Sequence, residues 1–230
     1  MRVTFILWLL LPFCCVIGQT PVDDSAIYQS AVTTAINRYH QFMGKEALLY
    51  NGPAYTGFDA TIIGHPFFDT SAVRDGSVLY DGIWYHHVPL TYDILHDQLV
   101  LLNPATNYIC PDPEKVGEFL FSGHTFIQTP KGYYEILCSG VMTLEARRIK
   151  EIETHSSVQD YTRTVIENDR YYLVKGGVYQ RLSGVKALLS QMGDKKSKVR
   201  QYLRKSKIRP RKQKELAMVK AVEYYNQLSP

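Results

Sequence analysis

The chain has 230 residues, is 45% hydrophobic and 21% charged, and carries a net charge of +4. That length can bury a core without metal or disulfide staples. The composition is that of an ordinary globular protein apart from seventeen tyrosines, which favour strands and amphipathic surfaces. After the first eighteen residues no apolar stretch approaches membrane length.

Those first eighteen residues read as a secretory signal peptide. Arg2 supplies a positive charge, Val3 to Ile17 an apolar core, and Val16-Ile17-Gly18 an acceptable cut ahead of Gln19. The expected organisation is a leader over 1–18, a helix-plus-sheet domain over 19–182 and a basic helical segment over 183–230. Cys14 and Cys15 fall in the leader, where lipidation is the rival reading, although bulky Phe13 is poorly suited to it. The remaining cysteines, Cys110 and Cys138, could pair in an oxidising compartment or stay as separate thiols. Two cysteines with no C-x-x-C and no His pair at ligand spacing do not make a zinc site.

Asp24 or Ser25 can cap a helix carried by Ala26, Ile27, Ala31, Ile36, Tyr39 and Met43, with Gly44 as its stop. From Asn51-Gly52-Pro53 onward the pattern is turns and short strands. Asp81-Gly82 and Gly176-Gly177 sit between alternating runs as type I′ hairpin turns do. Ser122-Gly123, Pro130-Lys131-Gly132 and Ser139-Gly140 mark further turns. Ten to twelve strands are expected between Tyr55 and Leu182. Turns this frequent exclude a parallel sheet with crossover helices, so the fold class is α+β. The sheet is expected to be large, antiparallel and curved, and able to form a partial barrel. Val141 to Glu153 reads as one long strand before a polar linker, 154–160.

Three helices should follow. Val185, Leu188, Leu189 and Met192 stripe the first, capped by Ser183. Val199, Tyr202 and Leu203 stripe the second, capped by Asp194 and bounded by Pro210. Leu216, Val219, Val222 and Tyr225 or Leu228 stripe the third. From Ser183 onward there are thirteen Lys/Arg against Asp194, Glu215 and Glu223, a net +10 that leaves the rest of the chain at −6. Arg200, Arg204, Lys207 and Arg211 follow helical spacing and form the candidate binding face. Three readings stay open for it: a solvated face docked on the acidic body, a contact with anionic envelope lipid or polysaccharide, or an envelope protein partner. Nucleic acid does not suit an exported chain that has no RRM, KH or helix-turn-helix pattern.

Gly64-His65-Pro66-Phe67 and Gly123-His124-Thr125-Phe126 each place a Gly-His at a turn entering a strand. His65 and His124 are therefore the weak catalytic candidates, against a packing role for each. His86 and His87 are adjacent and face opposite sides of a strand, though either could pair with His96 across strands. No G-x-S-x-G, H-E-x-x-H, Walker loop or G-x-G-x-x-G is present, and no cofactor is implied. A hydrolase is not excluded, because carboxylate pairs assemble in space.

Leu49-Tyr50-Asn51-Gly52-Pro53-Ala54-Tyr55, Gly64-His65-Pro66-Phe67-Phe68 and Gly76-Ser77-Val78-Leu79-Tyr80-Asp81-Gly82 resemble a group of uncharacterised exported proteins of Bacteroidota-type bacteria. So do Val88-Pro89-Leu90-Thr91-Tyr92-Asp93, Arg170-Tyr171-Tyr172-Leu173, Val199 to Lys205 and Val222 to Asn226. The resemblance covers most of the mature chain and implies the periplasm or outer envelope, or secretion. It carries no catalytic residues, and Cys110 and Cys138 are not among its shared features. The leading expectation is a non-catalytic envelope binding module, with a periplasmic carrier of a hydrophobic ligand and a His/carboxylate hydrolase as alternatives.

Overall fold

The computed structural model describes residues 24–43, 48–103, 107–156 and 161–229; the leader and Gly44 lie outside these. Helix α1 (Asp24–Met43) precedes the strands and lies against the second of them. The strands are β1 (Arg74–Tyr80), β2 (Ile83–Asp93), β3 (Gln98–Leu102), β4 (Tyr108–Ile109), β5 (Val116–Phe121) and β6 (His124–Thr129). They continue with β7 (Gly132–Cys138), β8 (Thr143–Arg147), β9 (Lys150–Ser156), β10 (Tyr161–Glu167), β11 (Arg170–Lys175) and β12 (Val178–Leu182). Helices α2 (Val185–Ser190), α3 (Lys196–Lys205) and α4 (Lys214–Gln227) follow.

Ten strands form one open antiparallel sheet in the order β12-β11-β8-β7-β6-β5-β1-β2-β3-β4, and β9 and β10 make a separate hairpin. Hairpin chemistry sets this order. Asp81 and Gly82 both have positive φ, as do Gly176 and Gly177, so the two-residue turns twist with their strands. The sheet coils without closing. The turn between β2 and β3 reaches the start of β7, which is four places from β2 in the sheet, and there Asp97 accepts from the Tyr133 backbone N–H at 3.4 Å. Gly132 permits this approach, because it has φ +106° and a Cβ there would fall 1.8 Å from the Asp97 carboxylate.

The coil is filled rather than hollow. Tyr92, Phe119, Phe121, Phe126 and Tyr133 pack inside it with Leu90, Leu99 and Leu101. Their rings meet edge-on, except Phe119 on Phe126, which stack at 4.8 Å. A second core lies between strands β8, β11 and β12 and the C-terminal helices. Leu144, Ala146, Leu173 and Leu182 face Leu188, Val199, Leu203, Met218 and Val222 there.

Three local expectations are corrected. The strand expected over 141–153 is two strands, broken at Arg148 and Ile149, where the chain leaves the large sheet for the β9–β10 hairpin and stays extended to Ser156. Asp169 holds that break by accepting from the Ile149 N–H at 3.2 Å. The helix caps differ too: Gly184 rather than Ser183 starts α2, and Lys195 rather than Asp194 starts α3, neither with a side-chain cap. In α4 the buried stripe is Ala217, Met218, Ala221, Val222 and Tyr225, and Leu216 points outward. The two alanines let the α4 backbone approach the sheet closely.

Gly132→Ala is expected to destabilise the chain by about 1–3 kcal/mol in urea unfolding, combining backbone strain with the Asp97 collision. Gly123→Ala, with φ +82° but nothing near its Cβ, is expected to cost less.

Candidate functional site

Two polar clusters and one charged surface compete as the site. The first cluster centres on Arg148, whose side chain is 9% exposed. Its Nε donates to Glu135 and its Nη1 to Asp169, each at 2.5 Å. Nη1 and Nη2 also donate to the two Glu215 oxygens at 2.7 and 3.1 Å. The Arg148 guanidinium lies 5.7 Å from the Phe68 ring centroid. Burial opposes its charge, and the Glu215 and Glu135 carboxylates more than offset that, so its pKa is raised. His124 completes the cluster, with Nδ1 2.5 Å from the other Glu135 oxygen and its ring edge-on to Phe68. Tyr171 donates its hydroxyl to Glu215 at 2.9 Å.

Both oxygens of Glu135 are thus occupied, one by His124 and one by Arg148. Hydrogen bonds to both oxygens make the arrangement a tie between elements. It joins β6, β7, the β8–β9 break and α4.

The second cluster holds His65. Buried Lys150 donates to the His65 and Phe67 carbonyls at 3.2 and 2.7 Å, and its Nζ lies 3.5 Å from His65 Nδ1. Burial lowers the Lys150 pKa, while burial and then the Lys150 charge lower that of His65. Nearby, fully buried Asp93 accepts from the Leu95 and His96 N–H groups, the His96 ring and the Tyr55 hydroxyl. Lys150 therefore fastens the 65–67 segment, and Asp93 fastens the turn that follows β2.

No hydrogen bond or ring contact joins His65 to His124 among the described residues. His86 pairs with Ser77 and stacks on Trp84, His87 pairs with Asp75, and His96 pairs with Asp93, so no ring contact or hydrogen bond joins two histidines among the described residues. His87 sits at a bulge with φ +57°, which removes the simple alternation expected for the pair. Among the described residues no group of three His, Cys, Asp or Glu side chains could hold a metal.

Cys110 and Cys138 are free thiols, and the pairing that an oxidising compartment would allow is not formed. Cys110 lies beside Gln98 near the β4 edge of the sheet, while Cys138 ends β7 beside Asn226 of α4. Burial raises both thiol pKa values.

The charged surface is the outer side of α2, α3 and the segment up to α4. Lys195 is held by Ser229 and the Tyr225 ring, Lys214 by the Tyr171 ring, and Lys220 by Glu223. The other ten of the thirteen basic side chains have no ion pair or side-chain hydrogen bond among the described residues. Among the described residues the cations of the tail make no ion pair with the body, and Lys214 meets it over the Tyr171 ring. The ion pair that joins them runs the other way, from Arg148 of the body to Glu215 of the tail.

Arg200, Arg204, Lys207 and Arg211 are all exposed, but they do not share one helical face. α3 ends at Lys205, and Lys207 has φ +55° in the turn beyond. Arg200 and Arg211 are instead brought near one another by Pro210, which lines a groove with each of them. No described helix is long and apolar enough to cross a membrane. No protein-family model, curated protein or solved structure matches the chain.

Arg148, Lys150, Glu135 and Glu215 were not distinguishable in the sequence. Arg148 sits in Arg-Arg-Ile-Lys, which reads as a solvated stretch, and its acids lie 13, 21 and 67 residues away.

Arg148→Met leaves Glu135 buried without its cation and is expected to cost about 3–5 kcal/mol in urea unfolding. For Glu215, burial raises the pKa, but hydrogen bonding and charge from Arg148 outweigh it and the pKa is lowered from 4.5. A lowered carboxylate pKa stabilises the fold above the unfolded value and loses that effect as the pH falls through the folded one. Unfolding free energy should thus decline as the pH falls below about 4.5, and Glu215→Gln should flatten that decline.

Proposed function

We propose that the chain is a non-catalytic binding module of the cell envelope that rests on an anionic lipid surface through its C-terminal helices. The observation that carries this reading is the set of ten basic side chains without partners on one helical layer. Three features support it further. The leader pattern over 1–18 favours a working protein outside the cytoplasm, where phosphate-bearing lipids are abundant polyanions. The buried acidic groups of the body are held by internal ties, among them Glu135 and Asp93, as are Asp169 and Asp97. The inner face of the coiled sheet is packed with aromatic rings, which favours surface binding over a carried ligand, and the hollow of about 330 Å³ beside Leu99, Cys110 and Tyr133 is open to solvent. The hydrolase alternative needs His65 and His124 to act together, and each is instead held by its own partner.

Sedimentation with vesicles tests the reading. Binding is expected with phosphatidylglycerol vesicles, not with phosphatidylcholine vesicles, and should weaken as salt rises. Combined Arg200→Ala, Arg204→Ala, Lys207→Ala and Arg211→Ala substitutions should weaken it by about 1 kcal/mol per charge, roughly a thousandfold in all. Equal binding to neutral vesicles, or no effect of the four substitutions, would contradict the proposal.

A further inference from the structure

The cationic layer is not a plain convex surface. Two hollows, of about 400 and 410 Å³, share Val185, Lys186 and Pro210 and so form one continuous groove beside α2. Val185, Leu189 and Pro210 supply its apolar lining. Lys196 and Arg200 line one hollow, Arg211 and Lys214 the other and Lys186 both, with no carboxylate among the lining residues.

We infer that this groove takes one anionic lipid molecule, its phosphate held by Lys186, Lys196 and Arg200 and the first part of its acyl chain laid along Val185, Leu189 and Pro210. The inference rests on the lipid-surface reading above and adds a defined site to it. Charge complementarity argues for an anion, since five cations surround the groove and none is neutralised by a lining acid. The chemistry of the charged groups argues for lipid over an acidic peptide. Lysine and arginine only donate hydrogen bonds. A phosphate diester only accepts them, whereas a peptide also brings N–H groups that these side chains cannot satisfy. The apolar floor gives a reason for the chain. A bare headgroup would leave Val185 and Pro210 facing water, and a flat membrane surface would touch the protruding cations without filling the hollow.

The test compares monomeric dihexanoyl phosphatidylglycerol with glycerophosphoglycerol, the same phosphate diester without the chains. Binding to the full chain is followed by titration calorimetry and by amide shifts. The short-chain lipid is expected to bind about tenfold tighter than glycerophosphoglycerol, as burial of about two methylenes would give. Its shifts should centre on Val185, Ala187 and Lys196. Val185→Asp and, independently, the exposed-site change Pro210→Asp should each abolish the difference between the two probes. The second variant guards against a folding defect in the first. If the lipid binds no tighter than glycerophosphoglycerol while vesicle binding persists, the groove inference fails and the surface reading stands. If neither vesicles nor short-chain lipid bind, both fail. Tighter binding of an oligoglutamate peptide, with shifts on the same residues, would also overturn the lipid assignment.

Discussion

One buried guanidinium organises the distal half of this fold. Arg148 gathers a carboxylate from β7, one from the turn before β11 and one from α4. A cation so enclosed is costly unless its hydrogen bonds are complete, and here its charged nitrogens are engaged by three acids. Several features follow from that requirement. The chain must leave the large sheet after Arg147, so that Arg148 can turn inward and Lys150 can begin a new hairpin. Glu215 must face the sheet, which sets the rotation of α4 about its axis. That rotation buries Ala217, Met218 and Ala221 and turns Leu216 out. Asn226, further along α4, then clamps the β7–β8 turn by bonding both the N–H and the carbonyl of Met142 at 2.9 Å.

The direction of this tie explains the surface. An acidic body and a basic tail invite the expectation of simple mutual neutralisation. The body instead pairs its own acids with its own cations, histidines and backbone N–H groups. The tail attaches through apolar packing, through Glu215 on Arg148, through Asn226 on the β7–β8 turn and through Lys214 on the Tyr171 ring. Ten of its cations take no part in these contacts and are left on the outside. Charge that a fold does not consume in its own stability is available for a partner.

How much of this was legible beforehand depended on the range of the signal. The hairpins at Asp81-Gly82 and Gly176-Gly177 were readable, because two adjacent residues determine such a turn. The α+β class and the antiparallel sheet followed from turn frequency. The three C-terminal helices followed from apolar spacing, and Val222 and Tyr225 lie on the buried side of α4 as expected, whereas Leu216 points outward beside Glu215, which faces Arg148. The break at Arg148 was invisible, since its partners come from three distant parts of the chain. The repeated Gly-His tetrads suggested a shared site, yet strand order gives each histidine its own partner, Lys150 for His65 and Glu135 for His124. Helical spacing likewise aligned Arg200 with Arg211, but α3 stops at Lys205. Their proximity comes from the fold around Pro210 instead.

Hydrogen exchange on the full chain, measured with and without phosphatidylglycerol vesicles, tests the central claim that a helical layer fixed to the sheet presents its free cations to lipid. The account predicts that α4 amides share the protection of β7 and β8 in both conditions, because Arg148 and Asn226 bind them into one unit. It predicts that α2, α3 and the segment up to Gln213 gain protection only when vesicles are present. Rapid, independent exchange of α4, or vesicle-induced protection confined to the opposite end of the sheet, would contradict it.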